Sequence, residues 1–452
     1  MRDIAITLLV FGLLPFVFKH PVLGAYMWAW LSMMNPHKLA YGFANSLQFA
    51  QFTAIVTLLA FLGTRKRQLV PLSPLTVVWL LLILWMSLGS FFAIADSSSV
   101  LDRWIFVFKI QFMLLITMML VCEPRQLRVL VWVVTLSIGF YGIKGGVWTV
   151  MTGGGGRVWG PSGGLIQGNN ELAVALVMLM PLLYWMRQTA PRAWIRHAMT
   201  FSMISCAFSI LGSHSRGALL ALLTISLFLG FKSKYPVRMT FVVLSAVALA
   251  IAFMPSTWTD RMDTIAEYQE DGSAMSRIWT WQTMWNVAVD RPFFGAGFQA
   301  DNAAVFSRYS PSGPEWQVFE GAVYVAHSIY FQLLGEHGFV GLGLFLLLWL
   351  TTWVTAGRVA RRAQADEALA SWMPLLMRML QVSLIGYATG GAFLSLGYFD
   401  LPYYLVAYVV LCDLFVRRTA AQPAVAGVGG TTSSMASTTH PAAPAKGRLP
   451  AP

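Results

Sequence analysis

Charge is what this sequence has least of. Asp, Glu, Lys and Arg make up 11% of its 452 residues, against 57% hydrophobic residues and a mean hydropathy of +0.63. That leaves too little polar surface to coat a water-soluble globule of this length. Cysteine is scarce as well: Cys122, Cys206 and Cys412 are the only three. All lie in or beside apolar runs without metal-like spacing, so neither a disulfide framework nor a zinc site is expected. Segments of alternating polarity are missing, and the apolar runs are far longer than barrel strands, which leaves helices as the spanning element. The glycine run at 153–156 lacks the Lys-Ser/Thr that completes a phosphate loop and reads as a flexible loop.

What is present is a series of apolar runs separated by short basic loops, the pattern of an all-α polytopic integral membrane protein. The net charge of +12 falls mostly in those loops, as the positive-inside rule requires, so nucleic acid is not an expected partner and membrane lipids are. Two short runs, 4–18 and 22–34, are split by Lys19-His20-Pro21 and read as a tilted hairpin or a broken helix. The N-terminus resembles a signal peptide but has no small-residue cleavage site, so it reads as a retained segment. Spans are then expected near 47–63, 73–95, 104–121, 128–151, 170–186, 198–213, 216–231, 238–254, 326–354, 373–396 and 400–416. Arg65 to Arg67, Arg125 with Arg128, Arg187 to Arg196, Lys232 to Arg238, Arg358 to Arg362, and Arg417-Arg418 occupy alternate loops, which assigns those loops to the cytoplasm. The loops 96–103, 152–169, 212–216, 255–325 and 397–400 are then external. Two spans within the first 63 residues put the N-terminus inside and an odd number puts it outside; about twelve in total is the expectation. A transmembrane domain over 1–418, with a long external loop at 255–325, is thus followed by a tail, 419–452, of Ala, Pro, Gly, Ser and Thr that reads as disordered and cytoplasmic.

Polar residues gather where three spans start from the outer face. These starts are Gln167-Gly168-Asn169-Asn170-Glu171, Ser213-His214-Ser215-Arg216-Gly217 and His327-Ser328. Helix N-termini present unpaired N–H groups and a positive dipole end, and an arginine beside them makes a phosphate site. Arg216 fits best: Ser213 or Ser215 can cap its helix, Gly217 lets a ligand approach, and the positive-inside rule disfavours an arginine there. A snorkelling interfacial anchor is the plainer reading. Arg157, Arg261, Arg277, Arg291 and Arg308 are the other external arginines considered; each either pairs with a nearby Asp or Glu or joins a cluster. Arg277 opens a tryptophan-rich amphipathic run that suits a helix lying at the interface. Asn169 and Asn170 read chiefly as caps. Asp260, Asp263, Glu267, Glu270 and Asp271 read as a solvated face before a cation site. His327, at a helix N-terminus and partly buried, is expected to be neutral near pH 7 and so a candidate general base. Glu336 and His337 are read as packing or interhelical contacts; His337 is placed about 15 Å further along the helix. Gly338, Gly341 and Gly343 are read as close-packing points.

His327-Ser328, nine residues, then Gly338-Phe339-Val340-Gly341 resembles the His-[Asn/Ser/Gln]-x9-Gly-x-x-Gly pattern of the O-antigen ligase family. Ser215-Arg216-Gly217-Ala218 is similar to that family's arginine turn, and the Gln-Gly-Asn-Asn stretch, Arg277 and the turn from Pro292 to Phe298 look like its other recurrent segments. Asn35-Pro36-His37-Lys38 resembles the branch described as O-glycosylation ligases associated with exosortase systems. The resemblance implies a GT-C-like membrane glycosyltransferase of the bacterial inner membrane with its active site on the periplasmic face, needing no metal or other cofactor. The implied donor is a glycan on undecaprenyl diphosphate and the acceptor a sugar hydroxyl of lipid A core. His327 is then the base and Arg216 a catalytic diphosphate ligand, with Arg157, Arg277, Arg291, Asn169 and Ser328 as substrate-binding residues. A polymerase, a protein O-glycosylation ligase and, from another class, a transporter of lipid-linked sugars are the alternatives.

Overall fold

The structure, a computed structural model, describes residues 1–231, 237–238, 245 and 272–421. The span expected at 238–254 apart from residues 238 and 245, Arg261, the acidic residues from Asp260 to Asp271 and the tail from 422 lie outside these residues. Every regular element among the described residues is helical. Helices α1 (Arg2–Lys19), α2 (Pro21–Met34), α3 (Phe49–Gly63), α4 (Pro74–Gly89), α5 (Ser97–Leu120), α6 (Pro124–Met151), α7 (Asn169–Thr189), α8 (Ala193–Gly212) and α9 (Arg216–Phe231) come first. They are followed by α10 (Gly272–Asp290), α11 (Ala303–Tyr309), α12 (Ile329–Arg362), α13 (Met373–Gly391) and α14 (Asp400–Ala421). Their starts follow local chemistry. Proline sits in the first turn of α2, α4, α6 and α13, where its missing N–H costs nothing. The side chains of Ser73 and Asp96 cap α4 and α5 by accepting from Thr76 N and Ser99 N.

Among the described residues, six helices are long and apolar enough to cross a membrane: α4, α5, α6, α7, α8 and α12. The chain is therefore a helical membrane protein. Its centre is built from α7, where Leu172 to Leu179 have no exposed surface, and from α14, where Leu401 to Val409 have none. Leu62, Leu84 and Leu350 stay exposed on the rim, as a lipid-facing surface requires. The opening 63 residues hold three helices, one for each of the apolar runs expected there. The run from 4 to 34 turns back at His20, so the end of α2 meets the start of α1: Gly42 and Ala44 donate backbone N–H bonds to Asp3 at 3.0 Å. At the other margin α14 continues to Ala421, so Thr419 to Ala421, assigned to the tail, are helical.

Two ends of the bundle separate cleanly. Arg418 bonds Cys122 O and Gln68 Oε1, and Arg128 lies over the Trp372 ring, so several of the basic loops meet at one end. At the opposite end the 152–168 loop packs beside Asn35 and Lys38, and the segments around Ala93, Ser213 and Ala296 join them.

One junction sets the shape of that second end. Helix α12 breaks at Gly338, which has φ 67° and ψ −171°. In an unbroken helix Phe339 N–H would bond Gly335 C=O. Here Phe339 N–H donates to Pro292 O at 2.8 Å, while Gly335 O accepts from Ala296 N–H at 2.7 Å. The turn from Arg291 to Phe298 has thus entered the helical ladder, exchanging one intrahelical bond for two. Trp85 Nε1–H donates to His337 O at 3.3 Å, which satisfies a further carbonyl near the break. Phe294 is stacked between Trp85 and Phe92, with centroids at 4.6 and 4.5 Å. Gly338 and Gly341 therefore serve a helix break and its close contacts, whereas Gly343 faces open space and is not a packing point.

A Cβ on Gly338 would stand 2.5 Å from Pro292 O and Phe293 O, and one on Gly295, at φ 59°, would stand 2.4 Å from Gly335 O. Gly338→Ala and Gly295→Ala should each destabilise by on the order of 1–3 kcal/mol or more. Gly343→Ala should be neutral or stabilising by up to about 1 kcal/mol. Thermal unfolding of the purified protein in detergent checks this; equal midpoints for all three variants would remove the wedge from the account.

Candidate functional site

The turn that breaks α12 runs directly into Gln299-Ala300-Asp301, and this segment forms one wall of a cavity of about 530 Å³. The cavity opens at the end of the bundle away from the basic loops. Arg103 from the first turns of α5, Glu171 from α7, and Gln332 with Glu336 from α12 project into it, and the segment 325–327 closes another side. Glu336 lies one turn beyond Gln332, so both reach the same face of α12. Trp159, 58% exposed, stands at its margin.

His327 lines this cavity, but it is not a helical residue. Ser328 occupies the N-cap position, without a side-chain cap bond, and His327 precedes it at φ 45°. Burial holds the His327 imidazole below the ordinary histidine value, and the charge of Arg277 pushes the same way. The neutral form expected from the sequence is thus favoured, by burial and by a neighbouring guanidinium. Arg277 acts on Glu171 as well, so it stands beside two residues of the cavity wall. Asp301 is raised above the usual carboxylate range by burial, which the charge of Arg103 opposes.

Four non-glycine residues among those described have positive φ: Asn35, His214, Gln299 and His327. Gln299 and His327 line the cavity and His214 adjoins the Arg216 turn. Left-handed backbone at non-glycine residues costs about 1–3 kcal/mol each and persists where surrounding structure enforces it.

Other residues singled out from the sequence fall at varying distances from this centre. Arg216 opens α9, whose cap is Ser215, with Oγ accepting from Ala218 N at 3.3 Å. Asn169 caps nothing: Gly168 is the N-cap of α7, and Asn169 Nδ2 donates to Ser213 O at 2.7 Å. That bond ties the Arg216 turn to the α7 start, where Gln167, Gly168 and Glu171 line the cavity. Arg157 is close enough to His214 to act on its titration, and His214 Nε2–H donates to Gly154 O at 3.2 Å, so the glycine run docks on this turn. Gly217 lies against Phe393, with 3.3 Å between its Cβ position and that side chain, so its small size serves packing. Arg291 donates to Phe92 O and pins the wedge, which is not a ligand role. Arg308 pairs with Asp290 at 3.5 Å. Ser328 is 1% exposed and does not line the cavity. The tryptophan-rich run at Arg277 packs one face on the protein and leaves Trp285 half exposed. Trp279 is buried, and Trp281 stacks on Phe331 at 5.1 Å and bonds Ala326 O, so α10 packs against α12 and the segment before it.

Arg103 and Asp301 went unnamed, and Glu336 was read only as an internal contact. Arg103 meets the same criterion as Arg216, an arginine at the outer end of an apolar span, and that signal was in the sequence. Glu336, an ionisable residue within a span, is a functional candidate by default; the packing role assigned to it from sequence omits its place in the cavity wall. Asp301 gave no signal before the wedge was known.

The cavity brings His327, Arg103 and three carboxyl-bearing side chains together among membrane-length helices. Residues 201–346, which include Arg216, Arg277, His327 and Gly338, match the family described as O-antigen ligase. Residues 1–190 match a family of unknown function. No curated protein matches the chain.

The titration of His327 is directly measurable. Carbethoxylation of His327, followed by peptide mass spectrometry against pH, should show a midpoint below the ordinary value of about 6.5. Arg277→Gln should move that midpoint upward, because removing a positive charge makes the imidazolium easier to form. A midpoint at or above the ordinary value in the unsubstituted protein would contradict this description.

Proposed function

We propose that the protein is an O-antigen ligase. In this reading it transfers a glycan from undecaprenyl diphosphate to a sugar hydroxyl of lipid A core on the periplasmic face of the bacterial inner membrane. The observation that carries the proposal is His327, whose neutral form is favoured by burial and by the charge of Arg277, on the wall of a cavity within the stretch matched to the ligase family. The separation of the basic loops from the cavity end supports the periplasmic orientation, since basic loops stay in the cytoplasm.

His327 takes the proton of the acceptor hydroxyl. The oxygen then attacks the anomeric carbon, the bond from that carbon to the diphosphate oxygen breaks, and the diphosphate departs with the electron pair. Attack opposite the leaving group inverts the anomeric centre. Diphosphate is a good leaving group, so the protein's contribution is a positioned base and fixed positive charge where negative charge grows. In this reading Arg277, whose charge acts on His327, supplies that charge and Arg216 adds to it. In this reading no divalent cation takes part.

Purified protein given lipid-linked donor and lipid A core acceptor, without ATP and with chelator, should form product. His327→Ala should lower the rate by about 10²–10⁴, and Arg277→Ala or Arg216→Ala by about 10²–10³. Product with a protein acceptor alone, or elongation of the donor alone, would replace the acceptor assignment. A His327→Ala protein as active as the original would overturn the mechanism. Movement of lipid-linked sugar across vesicles with no product would assign a transporter instead.

The pH profile follows from the direction of the His327 shift. Because its protonation lies below the ordinary histidine range, kcat/KM should stay level as pH falls through 7 and decline only below about 6.5. An acid limb centred above that value would assign the essential base elsewhere.

A further inference from the structure

One part of the cavity carries polar groups that the transfer chemistry does not use. Glu336, 5% exposed, reaches it from α12, and behind Glu336 lies a directed chain of hydrogen bonds. The Tyr398 hydroxyl gives its single hydrogen to Glu336 Oε2. Tyr398 Oη also lies 2.6 Å from His337 Nε2, and His337 Nδ1 has no partner among the described residues. Phe298 covers both rings at 4.8 and 5.4 Å, so the chain is locked by the same segment that breaks α12. Arg103 stands over the Tyr398 ring at 5.4 Å and lines the cavity beside Asp301.

Gln332 adds an independent sign of a ligand. It is 94% buried, its Oε1 accepts from Gly397 N at 3.1 Å, and its Nε2 has no hydrogen-bond partner among the described residues although the side chain lines the cavity. That Nε2 is a donor open to the cavity.

We propose that this wall is a subsite for an uncharged, hydroxyl-rich sugar ring. Glu336 and Asp301 accept from ring hydroxyls, and Gln332 Nε2 and Arg103 donate to ring or hydroxyl oxygens. Each sugar hydroxyl both donates and accepts, so a wall of mixed acceptors and donors complements it. Trp159 offers an apolar face for the ring's C–H surface at the cavity margin. Selection against charge follows from the composition of the wall: Glu171, Asp301 and Glu336 line it with Arg103, so a phosphorylated or acidic ring would meet more carboxyl than guanidinium groups. The inference rests on the transfer reading above and specifies which sugars that site admits. Tyr398 and His337 are positioning residues that hold Glu336.

The test measures binding without transfer. Saturation-transfer NMR on the full chain in detergent, with maltotriose and lactose as neutral probes and glucose 6-phosphate as the charged one, should give a saturable signal for the neutral sugars. Glu336→Gln should weaken it by about tenfold, Asp301→Asn similarly, and Tyr398→Phe less, with unchanged thermal midpoints. Asp290→Asn, away from the cavity, should leave it unchanged. A reconstituted reaction run alongside assigns the ring: Glu336→Gln raises KM for the donor if the ring is the donor's and for the acceptor if it is the acceptor's. No saturable signal, equal binding by the Glu336→Gln and Asp301→Asn proteins, or tighter binding of glucose 6-phosphate would overturn the subsite. Intact neutral-sugar binding with no transfer would overturn the ligase reading and leave the subsite standing.

Discussion

The exchange of the Gly335–Phe339 helical bond for two bonds to the turn at Pro292 and Ala296 is the constraint on which the cavity end depends. A helix crossing a membrane keeps its backbone paired because lipid offers no alternative partner. Opening that ladder is tolerable only where another backbone closes it at once, and here an entering turn does so on both sides of the gap. Two glycines make the approach possible, Gly338 on the helix and Gly295 on the turn. Once the turn is seated, Gln299 to Asp301 can only continue along the cavity wall, and Phe298 seals the Glu336–Tyr398–His337 chain behind it. Backbone pairing, packing and the position of polar groups are therefore one event.

The electrostatics follow from that geometry. Buried carboxylates and arginines are costly unless they meet partners. At one part of the site Arg277 acts on both His327 and Glu171; at another Arg103 acts on Asp301 beneath the covered wall. The proposed division of labour, base and diphosphate ligands on one side and sugar recognition on the other, places growing negative charge near guanidinium and neutral hydroxyls near carboxylate. A single positively charged funnel would have bound phosphate anywhere along it.

Much of this was legible in the residues. Hydropathy placed α3 to α9 and α12 to α14, because apolar length is a strong local signal, although α5 starts before the expected 104–121 and α12 runs past the expected 326–354; the motif pointed to His327 and Arg216. The break in α12 was not legible. Gly338, Gly341 and Gly343 look alike along the chain, and only the arrival of a segment from forty-odd residues upstream separates the helix breaker from the glycine facing open space. For the same reason Arg291 read as a ligand although it anchors the wedge, and Asn169 read as a cap although it bonds across to Ser213. Arg103 and Glu336 are different: polar residues in apolar spans were visible, and assigning Glu336 to packing before its surroundings were known understated them. The opening helices divided at His20 because a Lys-His-Pro step permits either a kink or a reversal, and local sequence does not choose between them.

The central claim is that chemistry occurs in the cavity walled by the wedge, and one labelling measurement addresses it most directly. A lipid-linked diphosphate sugar bearing a photoreactive diazirine on its first ring, bound to the full chain in lipid and illuminated, should form adducts on peptides containing Gln299 to Asp301 and Ala326-His327. Adducts confined to the apolar groove lined by Tyr26, Trp30 and Phe140, between α2 and α6, would contradict the account.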